Sequence, residues 1–175
     1  MKVIARGAFV AALVLGMAQV LPADKDKKEK VEAPPAAAIN VYDTQLGEGW
    51  ENWSWAKAEL SVELAGSPRK PIKVEAGGWQ ALYLHHAPFT TAGLKKINFL
   101  IQGSAPAGEV RLFMLTDGKT NGEGKPVKLS NTGWTRVEVP LVNIASDDKM
   151  IDGIWLQNMS ADALPKFFVT DIRIE

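Results

Sequence analysis

Short alternating runs of apolar and polar residues, separated by turn-forming residues, fill the sequence from residue 39 to residue 175. The runs are INVYDT, AELSVELA, PIKVEA, WQALYLHH, KKINFLIQG, EVRLFMLTD, TRVEVPLVNI, GIWLQNM and FFVTDIRIE. Segments rich in Gly, Pro, Asn and Ser lie between them, and no sustained helical periodicity is present. The sequence therefore predicts an all-β fold, an antiparallel β-sandwich of the jelly-roll type in one domain.

The first 38 residues have a different character. Residues 1–23 combine Lys2 and Arg6 with an apolar run that ends shortly before Ala23. This order is typical of a secretory signal peptide, and the run is shorter than the about 20 apolar residues that span a bilayer. Residues 24–38 carry alternating charges and then a Pro-Ala segment, which predicts a disordered tether. We therefore expect an exported, periplasmic or secreted protein whose folded domain is residues 39–175, with no membrane span in the mature chain.

Charge and composition exclude several functions. The 20 Lys and Arg residues balance the 20 Asp and Glu residues, so no basic surplus is present to bind nucleic acid. Cysteine is absent, which excludes disulfides and thiolate chemistry. The only histidines, His85 and His86, are adjacent and would point to opposite faces of a strand, which disfavours a shared zinc or copper ion. No phosphate-binding loop or nucleophile elbow is recognisable, and we expect no enzymatic activity.

Strand alternation assigns side chains to faces. In WQALYLHH the aromatic residues fall on one face and the leucines on the other, and GIWLQNM divides in the same way. If the aliphatic rows fill the sandwich, the outward faces carry Trp79, Tyr83, His85, Trp155, Gln157, Asn98 and Gln102. The sequence thus predicts an outward sheet face made of flat aromatics and short amides.

Tryptophan is unevenly distributed along the chain. Three of the six tryptophans lie in the segment WENWSW. Trp53 and Trp55 would lie on one side of an extended chain, roughly 6.5 Å apart, and would extend the aromatic surface. Trp50 and Trp134 each follow a turn, and we assign both to packing because tryptophan is usually largely buried.

A surface of this kind suits sugars. The apolar C–H face of a pyranose ring stacks on Trp or Tyr, and its hydroxyls pair with amides or imidazole. Two roles for the histidines stay open: one of them contacts the ligand while the other packs, or both pack in the fold. The residue types therefore favour non-catalytic binding of a polysaccharide or glycan.

The segments VYDTQLGEGWENWSW, GWQALYLHHAPFTTAGLKKINFLIQG, GWTRVEVPL and IDGIWLQNMSADALPKFFVTDIRIE together resemble bacterial carbohydrate-binding modules with a galactose-binding-like jelly-roll fold. The resemblance covers nearly all of residues 40–175. It implies a concave glycan cleft on one sheet, lined here by Trp79, Tyr83, His85, Trp155 and Gln157. It also implies a structural calcium ion, for which Asp43 and Asp171 are the candidate ligands; capping or solvation of strand ends is the simpler role for both.

Two other functions are compatible with the sequence. An envelope protein-protein interaction or assembly module could use the same aromatic patch to meet a protein partner. A polysaccharide-cleaving enzyme on the same fold would need two acids in a cleft.

Overall fold

The computed structural model describes residues 36–175, which form two antiparallel β-sheets packed face to face. The predicted all-β antiparallel sandwich is confirmed. The predicted signal peptide, and residues 24–35 of the predicted tether, lie outside the described residues. No helix within the described part of the chain is long and apolar enough to cross a bilayer.

Twelve strands are present in the described residues. They are β1 (Ile39–Tyr42), β2 (Trp50–Asn52), β3 (Lys57–Glu59), β4 (Ile72–Glu75), β5 (Ala81–Thr90), β6 (Lys96–Gly103), β7 (Glu109–Thr116), β8 (Lys119–Thr120), β9 (Lys125–Lys128), β10 (Thr135–Pro140), β11 (Met150–Gln157) and β12 (Phe167–Ile174). A short 3₁₀ helix, Leu141–Ile144, follows β10. Sheet 1 has the order β10-β6-β12-β4-β3, and β1 also pairs with β12. Sheet 2 has the order β2-β5-β11-β7-β8, and β9 also pairs with β7.

The core lies between the two sheets and is built from the predicted aliphatic rows. Leu82 and Leu84 of β5 face Ile97, Phe99 and Ile101 of β6 across the sandwich, and each of them is almost fully buried. Trp50 also belongs to the core, as expected from its position after a turn, and is 5% exposed. Burial of these rows supplies the hydrophobic stabilisation that a chain without disulfides requires.

The interpretation of AELSVELA as one long strand is wrong. The strand ends at Glu59, and Ser61 has a φ of 56°, a left-handed conformation that breaks the pleat. The backbone N–H of Ser61 donates to the Tyr42 hydroxyl rather than to a neighbouring strand. Residues 60–65 therefore form an irregular surface connection in which every side chain is exposed or half-buried.

We predict that Leu60→Ala changes the free energy of unfolding by less than about 0.5 kcal/mol, because Leu60 is exposed in the structure. Chemical denaturation of the variant measures the effect. A loss of about 2–5 kcal/mol, typical of a leucine removed from a core, would contradict the exposed placement.

The placement of Asn98 and Gln102 on the same face as the aromatic residues is also wrong. Both residues belong to β6 in sheet 1, whereas Tyr83 and Trp155 belong to β5 and β11 in sheet 2. Alternation along a strand separates core-facing from outward-facing side chains, but it does not reveal which sheet the strand joins. The two amides therefore lie on the opposite side of the sandwich from the aromatic residues.

Candidate functional site

The pairing of β5 with β11 brings the predicted aromatic residues together. Tyr83 pairs with Trp155, and Ala81 pairs with Gln157. Directly opposite residues of an antiparallel pair project to the same face, so all of these side chains point outward from sheet 2. The ring centroids of Tyr83 and Trp155 are 5.7 Å apart, with the ring planes near perpendicular. These two rings form the half-buried floor of the site.

Gly153 gives the tyrosine ring its position. This glycine pairs with His85, next to an irregularity in β11 between Ile151 and Gly153. A Cβ atom on Gly153 would lie 2.5 Å from Cε2 of Tyr83, well inside van der Waals contact. The ring can therefore lie over the β11 backbone only because residue 153 has no side chain.

The segment after β2 continues along the edge of β5 and presents two indoles. The backbone N–H of Trp53 donates to the Tyr83 carbonyl over 2.9 Å, and the N–H of Ala56 donates to the Ala81 carbonyl over 3.0 Å. The hydroxyl of Ser54 accepts the Tyr83 N–H at 3.0 Å. These bonds hold residues 53–56 against β5 and direct both indoles to the outward side.

Each of the two indoles contacts a ring of the sheet. Trp53 stacks on His85 with a centroid distance of 3.6 Å and an interplanar angle of 7°. Trp55 meets Trp155 edge to face at 5.0 Å. The stacked geometry covers one face of the imidazole, so His85 supports an indole more than it offers a free surface of its own.

Trp79 joins this cluster through its backbone. Its carbonyl oxygen accepts the indole N–H of Trp55 at 3.1 Å and the side-chain amide of Gln157 at 3.0 Å. Its own N–H donates to the carbonyl of Ser160. Trp79 has a φ of 63°, and the residue is exposed. A left-handed residue just before β5 thus turns its carbonyl towards two other members of the site.

We call this surface the aromatic face and define it by Trp53, Trp55, Trp79, Tyr83, His85, Trp155 and Gln157. The structure brings all seven predicted ligand-binding residues into one contiguous patch. Trp53, Trp55 and Trp79 are 52%, 41% and 55% exposed, whereas the other members are partly buried beneath them. Exposed flat apolar rings, backed by fixed hydrogen bonds, form a rigid surface for stacking against another flat apolar group.

Three residues of this region were missed by sequence reasoning. Glu51 accepts the Trp53 indole N–H at 2.7 Å and lies 3.9 Å from Nδ1 of His85. Phe113 of β7 pairs with Trp155 and is 6% exposed. The segment EVRLFMLTD has apolar residues on both faces of the strand, so alternation does not show that Phe113 points outward. Asp152 occupies the irregular part of β11, where alternation gives no information.

Asp152 affects the chemistry of Tyr83. Its carboxylate is largely buried, and one oxygen accepts the backbone N–H of Gly118 at 2.8 Å. Burial raises the pKa of the Tyr83 hydroxyl, and the negative charge of Asp152 raises it further. Tyr83 therefore stays protonated near neutral pH and keeps a hydroxyl that can donate a hydrogen bond.

We predict that Glu51→Ala loosens Trp53. A hydrogen bond of this kind contributes about 0.5–1.5 kcal/mol, so exchange of the Trp53 indole proton with water should become about three- to tenfold faster. Nuclear magnetic resonance measures this exchange directly. Glu48→Ala, which removes a nearby exposed acid without a bond to Trp53, should leave the rate unchanged; equal acceleration in both variants would contradict the role of Glu51.

The two predicted calcium ligands are engaged by protein groups. Asp43 accepts the backbone N–H groups of Thr44 and Gln45, and these bonds, that of Thr44 above all, lower the pKa of its carboxyl. Asp171 forms an ion pair with Arg69, whose cationic side chain disfavours a second cation. No cluster of three or more acidic, histidine or cysteine side chains suited to a metal exists in residues 36–175. These donors do not fit a calcium site, and the calcium expectation rests on the resemblance alone.

The two-sheet sandwich and its exposed aromatic sheet face place the protein in the β-sandwich class to which carbohydrate-binding modules belong. Residues 41–175 match the expansin-like protein C-terminal domain, and the chain belongs to this family. The sequence-based resemblance to carbohydrate-binding sandwiches is confirmed at the level of the fold. Its narrower assignment to bacterial galactose-binding-like modules stays a prediction.

Solved structures of carbohydrate-binding modules share this fold. A variant of the family 29 module CBM29-2 complexed with cellulohexaose has a TM-score of 0.59 and 13% identity, covering 79% of this chain and 89% of that one. Another variant, complexed with mannohexaose, has a TM-score of 0.56 and 11% identity, covering 81% and 92%. The family 11 module from Clostridium thermocellum, in complex with a β-1,3-1,4-mixed-linked tetrasaccharide, has a TM-score of 0.54 and 17% identity, covering 78% and 94%.

A curated relative is an endoglucanase from Dictyostelium discoideum, 19% identical over 147 residues. The match covers 77% of this chain but only 21% of the endoglucanase. The chain thus spans about a fifth of the length of this relative.

Proposed function

We propose that this protein binds a polysaccharide of β-linked hexoses on its aromatic face and does not cleave it. The observation that carries the proposal is the patch in which the exposed indoles of Trp53 and Trp55 contact the half-buried rings of sheet 2. The exposed residue Trp79 is joined to this patch by hydrogen bonds to its carbonyl. Membership of the expansin-like C-terminal family supports it. The glucan and mannan oligosaccharides bound by modules of the same fold support the choice of ligand class.

The chemistry of the patch matches that of an equatorially substituted sugar chain. Such a chain has flat C–H faces that stack on indoles and hydroxyls at its edges. The Tyr83 hydroxyl and the Gln157 side chain lie among the rings and can pair with those hydroxyls. Each hydrogen bond to the sugar replaces one to water, so the net gain comes mainly from stacking and the affinity should be modest.

The acids near the patch support binding rather than hydrolysis. Glu51 accepts a hydrogen bond from the Trp53 indole N–H. Asp152 is 8% exposed and accepts a hydrogen bond from the Gly118 N–H. Hydrolysis of a glycosidic bond requires a pair of carboxyl groups flanking the scissile bond. A buried acid and one already occupied by an indole are poorly suited to that task.

A binding panel tests the proposal. Pull-down on insoluble cellulose and mannan, together with calorimetric titration of soluble mixed-linkage β-glucan and glucomannan, should show saturable binding to at least one of them. Reducing-sugar release from the same materials should stay at the level of the buffer blank. Binding to none of them, or release of reducing sugar, would overturn the proposal; binding to none would also direct the search towards a protein partner.

We also propose that the protein acts outside the cytoplasm. The basic start and apolar run of residues 1–23 support export, and an extracellular polysaccharide would be accessible there. Fractionation of cells expressing the full chain should recover a shortened form outside the cytoplasm; full-length protein confined to the cytoplasm would contradict export.

A further inference from the structure

A polar groove of about 250 Å³ lies on the outer face of sheet 1. It is lined by Asn98, Arg136, Asp171, Arg173 and Glu175. Because its strands belong to sheet 1, the groove is on the opposite side of the sandwich from the aromatic face. It is therefore separate from the proposed polysaccharide site.

The strand register places two arginines on either side of Asn98. Arg173 of β12 pairs directly with Asn98 of β6. Arg136 of β10 pairs with Leu100, two residues further along β6 and on the same face as Asn98. The two guanidinium groups thus approach the groove from the strands on both sides of β6.

The acids of the groove have cationic partners, and the two arginines have none. Asp171 lies 3.5 Å from Nε of Arg69, and Glu175 lies 3.3 Å from Nζ of Lys96. Among the described residues, neither Arg136 nor Arg173 has a carboxylate oxygen within 4.0 Å. Both guanidinium groups therefore keep donors that are free to bind an anion, and their planar fork matches a carboxylate.

The Asn98 side chain offers further hydrogen-bonding groups to a ligand. It lines the groove, although the residue as a whole is only 5% exposed. Within residues 36–175, its amide is not among the side-chain groups that are shut off from solvent without a partner. The amide is therefore open to the groove, where it has both a donor and an acceptor for a ligand.

We propose that this groove binds a hydroxylated carboxylate, such as one uronate unit of an acidic polysaccharide. The carboxylate would accept hydrogen bonds from Arg136 and Arg173, and the Asn98 amide would pair with a ring or hydroxyl oxygen. The carboxylates of Asp171 and Glu175 would accept hydrogen bonds from the hydroxyls. Those same two carboxylates repel a free phosphate or sulfate ion, whose net charge is larger than that of a carboxylate and which offers few or no protons in return.

The arginine pair provides the main test. Calorimetric titration with polygalacturonate should give saturable binding, and the double variant Arg136→Gln/Arg173→Gln should lose at least tenfold in affinity. Both arginines are exposed, so the variant should stay folded. Neutral mixed-linkage β-glucan should bind wild type and variant equally, which separates this site from the aromatic face whether or not the aromatic face binds.

A matched pair of lysines controls for net charge. Lys119→Gln/Lys149→Gln removes the same charge at two exposed positions outside the groove and should leave polygalacturonate binding unchanged. An equal loss in the arginine and lysine variants, or no binding of polygalacturonate to wild type, would overturn the proposal.

A competition experiment and one further substitution identify the chemical group that the groove recognises. Free galacturonate should displace polygalacturonate, whereas inorganic phosphate at equal ionic strength should not. Asn98→Asp, which keeps the size of the side chain and adds a negative charge, should abolish binding of both galacturonate and polygalacturonate. Displacement by phosphate as readily as by galacturonate would contradict recognition of a hydroxylated carboxylate.

Discussion

Replacing Trp79 with alanine should weaken polysaccharide binding by at least about tenfold and leave the fold intact. The indole is 55% exposed, so its removal takes contact area from the ligand rather than from the core. The backbone carbonyl remains and can still accept hydrogen bonds from Trp55 and Gln157. Aromatic side chains that dominate a binding surface contribute about 2 kcal/mol or more, and each 1.4 kcal/mol corresponds to a factor of about ten in affinity.

Calorimetry with the polysaccharide that binds wild type most tightly measures the change, and near-ultraviolet circular dichroism confirms the fold. Trp134→Ala is the matched control, because Trp134 precedes β10 of sheet 1 and is half-buried. It should retain wild-type affinity. Unchanged affinity in Trp79→Ala would show that this indole does not contact the sugar, and an equal loss in both variants would attribute the effect to general destabilisation.

Gly78→Ala should reduce both stability and binding. A Cβ atom at residue 78 would overlap the backbone carbonyl of Ala161, which cannot move aside as a flexible side chain could. Backbone hydrogen bonds from Trp79 to Ser160 and from Leu164 to Ala76 join the two segments around this contact. Overpacking of this kind typically costs about 1–3 kcal/mol. Because Trp79 is the next residue, a shift of the loop would also misplace its carbonyl and indole.

Chemical denaturation and calorimetry of the same sample measure the two effects. The neighbouring glycine supplies the control: a Cβ atom at Gly77 would meet the side-chain oxygen of Gln80 at 3.1 Å. This oxygen accepts the Gly77 N–H, but it belongs to a side chain and needs to move only slightly. Gly77→Ala should therefore cost less than Gly78→Ala in stability and in affinity. Wild-type stability in Gly78→Ala would contradict the close backbone approach, and equal losses in both variants would contradict its specificity.

The fold class and the outward direction of four of the seven residues of the aromatic face could be predicted because both depend on local periodicity. Alternation determines on which side of its own strand a side chain lies. It correctly predicts that Tyr83 and His85 of β5 point outward, and that Trp155 and Gln157 of β11 do so as well. The same rule placed the leucines of β5 in the core. These assignments need no knowledge of which strand lies next to which.

Irregular segments could not be predicted in this way. Asp152 lies where β11 departs from regular pairing, and Ser61 has a left-handed backbone that ends the alternation of its run. The position of the Trp79 carbonyl, which accepts hydrogen bonds from Trp55 and Gln157, likewise depends on a left-handed φ and on contacts between residues distant in the sequence. No sequence period encodes such geometry.

The two-residue period of the backbone is enough to predict that this chain forms an all-β sandwich and which side chains of its regular strands face outward. Which strands share a sheet follows from the assembled fold alone, since strand pairing is a long-range choice among many similar edges. That choice separated Asn98 from the aromatic residues and placed it between Arg136 and Arg173 on the opposite side of the molecule. The outward direction of the β5 and β11 side chains of the aromatic face therefore follows from the sequence pattern. The groove around Asn98 depends on how the strands of sheet 1 pair.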